Sequence, residues 1–184
     1  MRAPVRLAIV ACAVAAAACR SGKRPPVAAS NPLADSADQV MYGVRTFITD
    51  QGIKRAEMYA DTGFFFDGNS RIEVRNERTL FFTGTGQQSA VLTSIEGTYS
   101  TQRNSMEARK NVLVVSEDGK RLETSQLAYN QMTNLISSDS PFVLTQPDRR
   151  VEGIGFVSDP DLVNLKILRL KAGQGPIPLS GANP

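Results

Sequence analysis

Few residues of this 184-residue chain could perform chemistry, because it contains no His, no Trp and only two Cys. Without His there is no imidazole base, no His-containing triad and no imidazole metal ligand, and two Cys cannot form a cysteine-rich zinc site. Asp139, Asp148, Asp159 and Asp161 could be grouped as a calcium or acid–base cluster, but their spacing matches no metal-binding loop and Asp favours turns at each position. We therefore expect no catalytic residue, no bound metal and no cofactor.

Cys19 is the residue best placed for a chemical modification. Arg2 and Arg6 precede an apolar stretch, residues 7–18, whose last three residues before Cys19 are Ala16, Ala17 and Ala18. This is the layout of a bacterial export signal with a lipidation site, and the stretch is shorter than the ~20 residues of a membrane span. We expect residues 1–18 to be a signal peptide and Cys19 to be the lipidated mature N-terminus. An ordinary cleaved signal and an uncleaved anchor are the alternatives, and all three place the domain outside the cytoplasm.

The positive charge of the chain lies near its start. The net charge is +3, yet the part beyond residue 35 has 16 basic and 17 acidic residues, so the basic balance gives no support to nucleic-acid binding. Residues 19–40 are rich in Pro, Ser and Ala and predict an extended tether. Its three basic residues either attract anionic lipid head groups or belong to a soluble spacer. Residues 172–184, rich in Gly and Pro, predict a disordered tail.

Residues 41–171 read as short strands separated by turn signals, which predicts an all-β domain. Thirteen segments fit this description: 41–49, 53–60, 63–66, 71–75, 79–83, 90–99, 105–109, 112–116, 121–129, 135–138, 142–145, 150–157 and 162–170. A shift of 29 residues aligns 112–129 with 141–158, and a shift of 30 aligns 92–99 with 122–129. A repeat of strand, turn and strand predicts hairpins stacked side by side, each burying its apolar face against a neighbour.

Alternation along these strands predicts one shared apolar face. Two readings fit it: a long trough that holds an apolar ligand, or a closed core with no further role. The residues expected to share the face are Ile72 with Val74, Val112 with Val114, Phe142 with Leu144, and Ile154 with Phe156.

Three stretches of the strand region carry a family resemblance in their order and spacing. Together they resemble the LptC family, the periplasmic component of the lipopolysaccharide exporter, over residues 41–170. Two features depart from that family: Asn111 stands where Gly is common, and a lipid anchor replaces the membrane helix of well-known members. The stretches are FITDQG (47–52) with RAEMYA (55–60), NVLV (111–114) with LET (122–124) and LAYN (127–130), and ISSDSPF (136–142) with VEGIGF (151–156).

The resemblance implies a twisted, open β-jellyroll of the OstA-like class, built from stacked antiparallel hairpins. Its interior would hold the acyl chains of lipopolysaccharide against the eight residues of the shared face and Phe82. The protein would sit at the periplasmic side of the inner membrane, with the outer membrane as the alternative. It would receive lipopolysaccharide from an inner-membrane ABC transporter and pass it to an LptA-like periplasmic bridge protein.

The free edges of such an open sheet would recruit partner strands, because their backbone N–H and C=O groups are unpaired. The partner-binding residues expected on the first and last strands are Val44, Thr46, Ile48, Leu165, Ile167 and Arg169. Two basic pairs, 109–110 and 149–150, would either contact lipid phosphates or be solvated turn ends. The rival functions are another periplasmic lipid carrier, a structural outer-membrane lipoprotein, and a β-helical polysaccharide lyase, although a lyase needs more coils than this domain provides.

Overall fold

A computed structural model of the protein describes residues 31–174. Within this range lie one short helix, α1 (Pro32–Ser36), and nine strands. The predicted signal peptide, Cys19, the greater part of the tether and residues 175–184 lie outside the described residues. Between residues 31 and 174, no helix is long and apolar enough to cross a membrane. The strands are β1 (Gln39–Asp50), β2 (Ile53–Phe66), β3 (Arg71–Phe82), β4 (Gln88–Ser100), β5 (Ser105–Ser116), β6 (Arg121–Asn130), β7 (Leu135–Thr145), β8 (Arg150–Ser158) and β9 (Lys166–Gln174).

The nine strands form one open sheet in which every strand pairs antiparallel with its neighbours in sequence. The predicted all-β fold is confirmed, and the architecture is consistent with a β-jellyroll. Two strands make one repeat, since β6 begins 29 residues before β8. Equivalent residues occupy equivalent places: Leu92 of β4 and Leu122 of β6 flank Val114 of β5 from opposite sides. The last strand extends to Gln174, three residues beyond the predicted end of the domain.

Several predicted strand ends are irregularities in the middle of longer strands. The segments 105–109 and 112–116 form the single strand β5, and Lys110 and Asn111 between them have φ of 62° and 52°. Pairing registers shift near the middle of strands β4 to β8. Extra residues of this kind are β-bulges, which bend a strand and increase its twist. The gap between these two predicted segments therefore marks a place where one strand bends.

The bent sheet turns over its own inner face and encloses one core. The rings of Phe81 on β3 and Tyr129 on β6 meet edge to face with centroids 5.0 Å apart. In a flat sheet, strands three positions apart would lie about 14 Å from each other. A second link joins the two sides, because Gln131 Nε2 in the β6–β7 turn donates to the carbonyl oxygen of Thr49 on β1 at 2.5 Å. The two sides of the sheet thus face each other across a shared interior.

Candidate functional site

The interior of the folded sheet gathers most of the residues predicted to contact lipid. Six of the nine are fully buried within one continuous apolar cluster, and Ile72 packs against it from a partly buried position. The rings of Phe142 and Phe156 pack edge to face with centroids 5.1 Å apart. The six buried residues are Val74, Val112, Val114, Phe142, Leu144 and Phe156.

Phe82 and Ile154 lie outside this cluster, because side-chain alternation changes partway along their strands. On β3, Asn76 has φ of 51°, and beyond it Phe81 rather than Phe82 belongs to the buried cluster. The ring of Phe82 instead carries the ammonium group of Lys54, 3.8 Å from its centroid. On β8, Gly155 has φ of 75° and separates partly buried Ile154 from buried Phe156. A positive φ interrupts the two-residue period on which the prediction depended.

The cluster also contains residues that sequence reasoning missed. Phe81, Tyr129 and Met58 are among its largest fully buried side chains. The alternation of buried and exposed residues within each half of a strand would have predicted these three residues to be buried. Applying it requires knowing where the bulges divide each strand, and the sequence alone did not show this. All these side chains belong to one buried cluster, so a ligand would reach them only if the two sides of the sheet separated.

A small polar group, which we call the polar island, interrupts the apolar interior at Glu77, Thr79 and Ser94. Glu77 is 2% exposed and lies opposite Ser94 in the β3–β4 ladder. Thr79 Oγ1 donates to Glu77 Oε1 at 2.9 Å, and Ser94 Oγ lies 3.3 Å from Glu77 Oε2. The carboxylate fits because Gly97 has no side chain: a Cβ there would lie 2.0 Å from Glu77 Oε2. Burial raises the pKa of Glu77 to about 7, against the opposing effect of the two hydroxyls.

A second carboxylate, Glu57, is buried on the outer face and ties the edge strand β1 to β2. Tyr59 Oη donates to its Oε1 at 2.5 Å, Arg45 Nε donates to the same oxygen at 2.7 Å, and Lys54 Nζ lies 3.0 Å from Oε2. Hydrogen bonds from Tyr59, Lys54 and Arg45 lower the pKa of Glu57 to about 2. The guanidinium of Arg45 also lies over the ring of Phe47, 5.0 Å from its centroid.

The first and last strands are edges within the described chain, since β1 pairs only with β2 and β9 only with β8. On β1, Val44 and Ile48 are anchored in the core and Thr46 is half-buried. At the other edge, Leu165 precedes the strand, because β9 begins at Lys166 rather than at residue 162 as predicted. Leu165 and Ile167 pack against the core from partly buried positions. Arg169 is exposed.

The two edges expose apolar side chains that do not face the core. Tyr42 on β1 is 81% exposed and Phe47 is 53% exposed. On β9, Leu168 and Leu170 are 52% and 57% exposed. Lys166, Arg169 and Lys171 give the strand Lys166–Gln174 three basic residues and no acidic one. Both edges thus expose apolar side chains, and β9 also carries positive charge along its length.

The two basic pairs proposed as phosphate ligands are partnered by the protein itself. Lys110 Nζ lies 2.7 Å from Glu96, and Arg109 forms an ion pair with Glu107 at 3.3 Å. At the other pair, Arg149 donates to Gln146 and Arg150 forms an ion pair with Glu152 at 3.1 Å. The pair 149–150 thus lies at a turn end, as one interpretation predicted, whereas the pair 109–110 lies at the bulge in the middle of β5.

The four aspartates considered as a metal cluster lie in three places: Asp159 and Asp161 in the loop before β9, Asp148 in the β7–β8 turn, and Asp139 within strand β7 rather than in a turn as predicted. Asp159 Oδ1 accepts backbone hydrogen bonds from Val163 at 2.8 Å and Asn164 at 3.1 Å, which is a turn-forming role. Across residues 31–174, no three His, Cys, Asp or Glu side chains are grouped to hold a metal ion.

Comparison with protein-family models matches residues 6–170 to a family described as LptC: lipopolysaccharide-assembly, LptC-related. The match covers most of the chain and includes strands β1 to β8. No curated protein matches the sequence.

Proposed function

The chain belongs to the LptC family, which functions in lipopolysaccharide transport, and we propose that it carries lipopolysaccharide by enclosing the acyl chains within its folded sheet. It acts without catalysis of its own, as a relay between an inner-membrane ABC transporter and an LptA-like periplasmic bridge protein. Cys19 provides a lipid anchor that holds the domain at the periplasmic side of the inner membrane.

The observation that carries this proposal is the continuous apolar cluster, to which every strand from β1 to β8 contributes. Burying a methylene group in apolar surroundings contributes about 0.8 kcal/mol, so a ligand with several long acyl chains needs a long apolar surface rather than a small pocket. The cluster would supply such a surface from β1 to β8 once the two sides of the sheet separate.

The connectivity of the sheet supports entry of a lipid. Edge strands β1 and β9 are not paired to each other, so the two sides can separate without breaking a strand ladder. The hydrogen bond from Gln131 to Thr49 is a link across the sides that separation breaks. Its net contribution is about 1 kcal/mol, so this link is a small barrier compared with the acyl burial gained.

The unpaired edges support the relay. A strand from the next protein can add to β9, where the exposed backbone continues the sheet and three basic side chains select an acidic partner. The other edge, β1, is joined to β2 by the contact between Arg45 and Glu57 and is available for the transporter side. Joining sheets edge to edge would align successive apolar interiors, so that the acyl chains stay out of water during transfer.

Site-specific photocrosslinking in membranes tests the proposal. A photoreactive phenylalanine analogue at Phe81 or Phe142, both inside the cluster, is expected to form an adduct with lipopolysaccharide. The adjacent residue Phe82 is the matched control, because its ring lies outside the cluster and we expect no adduct there. Folded variants that give no adduct at either interior position would contradict the proposal.

A further inference from the structure

We propose that the polar island of Glu77, Thr79 and Ser94 is a binding site for the hydroxyl group of a hydroxylated acyl chain. The inference rests on the proposed function, since it concerns how a chain is held inside the folded sheet. It goes further by assigning a preference among acyl chains to three named side chains.

The island lies within the surface that an acyl chain would occupy. Thr79 is fully buried, and its Oγ1 lies 4.0 Å from Sδ of Met106, a member of the apolar cluster on β5. Glu77 passes over Gly97 and packs near Val74, another cluster residue. A chain placed between β3 and β5 therefore lies against both apolar side chains and the island.

Counting the hydrogen atoms of the island shows which kind of ligand group it can bind. Ser94 Oγ has one proton and lies 2.9 Å from the carbonyl oxygen of Glu96, a shorter contact than the 3.3 Å to Glu77. The single hydroxyl proton of Thr79 is directed to Glu77 Oε1 at 2.9 Å. The hydroxyl protons are thus engaged, whereas both carboxyl oxygens and the Thr79 oxygen keep lone pairs. A ligand O–H can donate to these lone pairs, and its oxygen can accept the carboxyl proton when Glu77 is neutral, so a hydroxyl group suits both forms of the carboxyl.

The cost of the island indicates that it is more than a packing feature. A carboxyl group buried without a cation is unfavourable, and the described contacts of Glu77 are two hydroxyls rather than a Lys or Arg. A Leu or Met at this position would fill the same interior at lower cost. A hydroxyl on the ligand would compensate by satisfying lone pairs that the closed interior leaves unused.

A pair of matched fatty acids tests the inference on the intact protein. Tetradecanoic acid and 3-hydroxytetradecanoic acid differ in one hydroxyl group, and each is titrated by displacement of a fluorescent fatty-acid probe. We expect the wild-type protein to bind the hydroxylated acid about five-fold more tightly, the effect of one net hydrogen bond. Glu77→Leu should bind both acids equally, and Glu77→Gln, which keeps one carbonyl acceptor, should retain part of the preference.

Thr124→Val is the control, because it removes a buried hydroxyl that donates to the carbonyl oxygen of Pro141 on β7, away from the island. This variant should prefer the hydroxylated acid to the same degree as the wild-type protein. Equal affinities in the wild type, or a preference unchanged in folded Glu77→Leu, would overturn the inference and leave the proposed function intact. Binding of neither acid by the wild type would contradict both.

Discussion

At the residue scale, the two buried carboxylates show how neighbours decide the state of identical groups. Glu57 on the outer face accepts hydrogen bonds from Tyr59, Lys54 and Arg45, which stabilise its charged form. Glu77 in the interior has only hydroxyl partners among its described contacts, and burial favours its neutral form. The pKa values of about 2 and about 7 thus follow from surroundings and not from residue type.

The raised pKa of Glu77 predicts a pH-dependent stability. Because the folded pKa lies above the ordinary value of 4.5, the folded state binds a proton that the unfolded state releases between pH 4.5 and 7. The free energy of unfolding should therefore fall by about 3 kcal/mol as the pH rises from 4.5 to 8. Urea unfolding of the wild type and Glu77→Gln at several pH values isolates this contribution. A difference between the two proteins that does not change with pH would show that Glu77 titrates normally.

At the element scale, the bulges determine which side chains enter the interior. On β3 and β6 the buried positions change from even to odd numbers partway along the strand. The bulge of β5 consists of two residues, Lys110 and Asn111, both with positive φ, and it therefore keeps Ala108 and Val112 on the same face. Asn tolerates this backbone conformation better than most residues, and Gly tolerates it best. Asn111 therefore performs the role of the Gly that is common at this place in the family it resembles.

Substitutions at Asn111 test this role. Asn111→Gly should leave stability unchanged or raise it slightly, whereas Asn111→Val should cost about 1–3 kcal/mol, because a β-branched residue resists positive φ. Thr93→Val, at a β4 position without positive φ, is the control and should not carry this cost. Chemical denaturation measures all three variants, and equal stabilities of Asn111→Gly and Asn111→Val would show that φ at 111 is not restrictive.

The same bulges set the limit of what the sequence could predict. The sequence was sufficient to predict the order of the hairpins and the 29-residue repeat. It also predicted two buried pairs, Val112–Val114 and Phe142–Leu144, because both members of each pair lie within one regular half of a strand. Phe82 and Ile154 were misplaced relative to the cluster because one positive φ intervened in each case. Alternation can be extended along a strand only as far as its backbone stays regular.

At the scale of the whole molecule, the interior is a closed core whose walls are held together by contacts far apart in sequence. Gln131 reaches Thr49 across 82 residues, and Phe81 meets Tyr129. The sequence left open whether the apolar face formed a trough or a core. The structure shows the closed arrangement, and the proposed loading of lipid requires it to open along the unpaired edges.

Locking the two sides together should block loading. Thr49→Cys combined with Gln131→Cys, bridged by a short cleavable crosslinker, is expected to abolish the lipopolysaccharide adduct at a photoreactive residue 142. Cleavage of the bridge should restore it. Each single-cysteine variant treated with the same reagent is the control. Undiminished adduct formation in the bridged protein would show that lipid enters without separation of these sides.

The number of strands has a consequence for assembly. In a sheet of alternating antiparallel strands, an odd count makes the first and last strands run in the same direction, and β1 and β9 here enclose seven others. A second copy of this domain, added to β9 in the same orientation, would place its own β1 parallel to that strand. An antiparallel joint instead requires the incoming domain to be inverted. The odd number of strands therefore distinguishes two kinds of assembly. Copies related by translation would join through parallel strands, whereas an inverted partner would join through antiparallel strands.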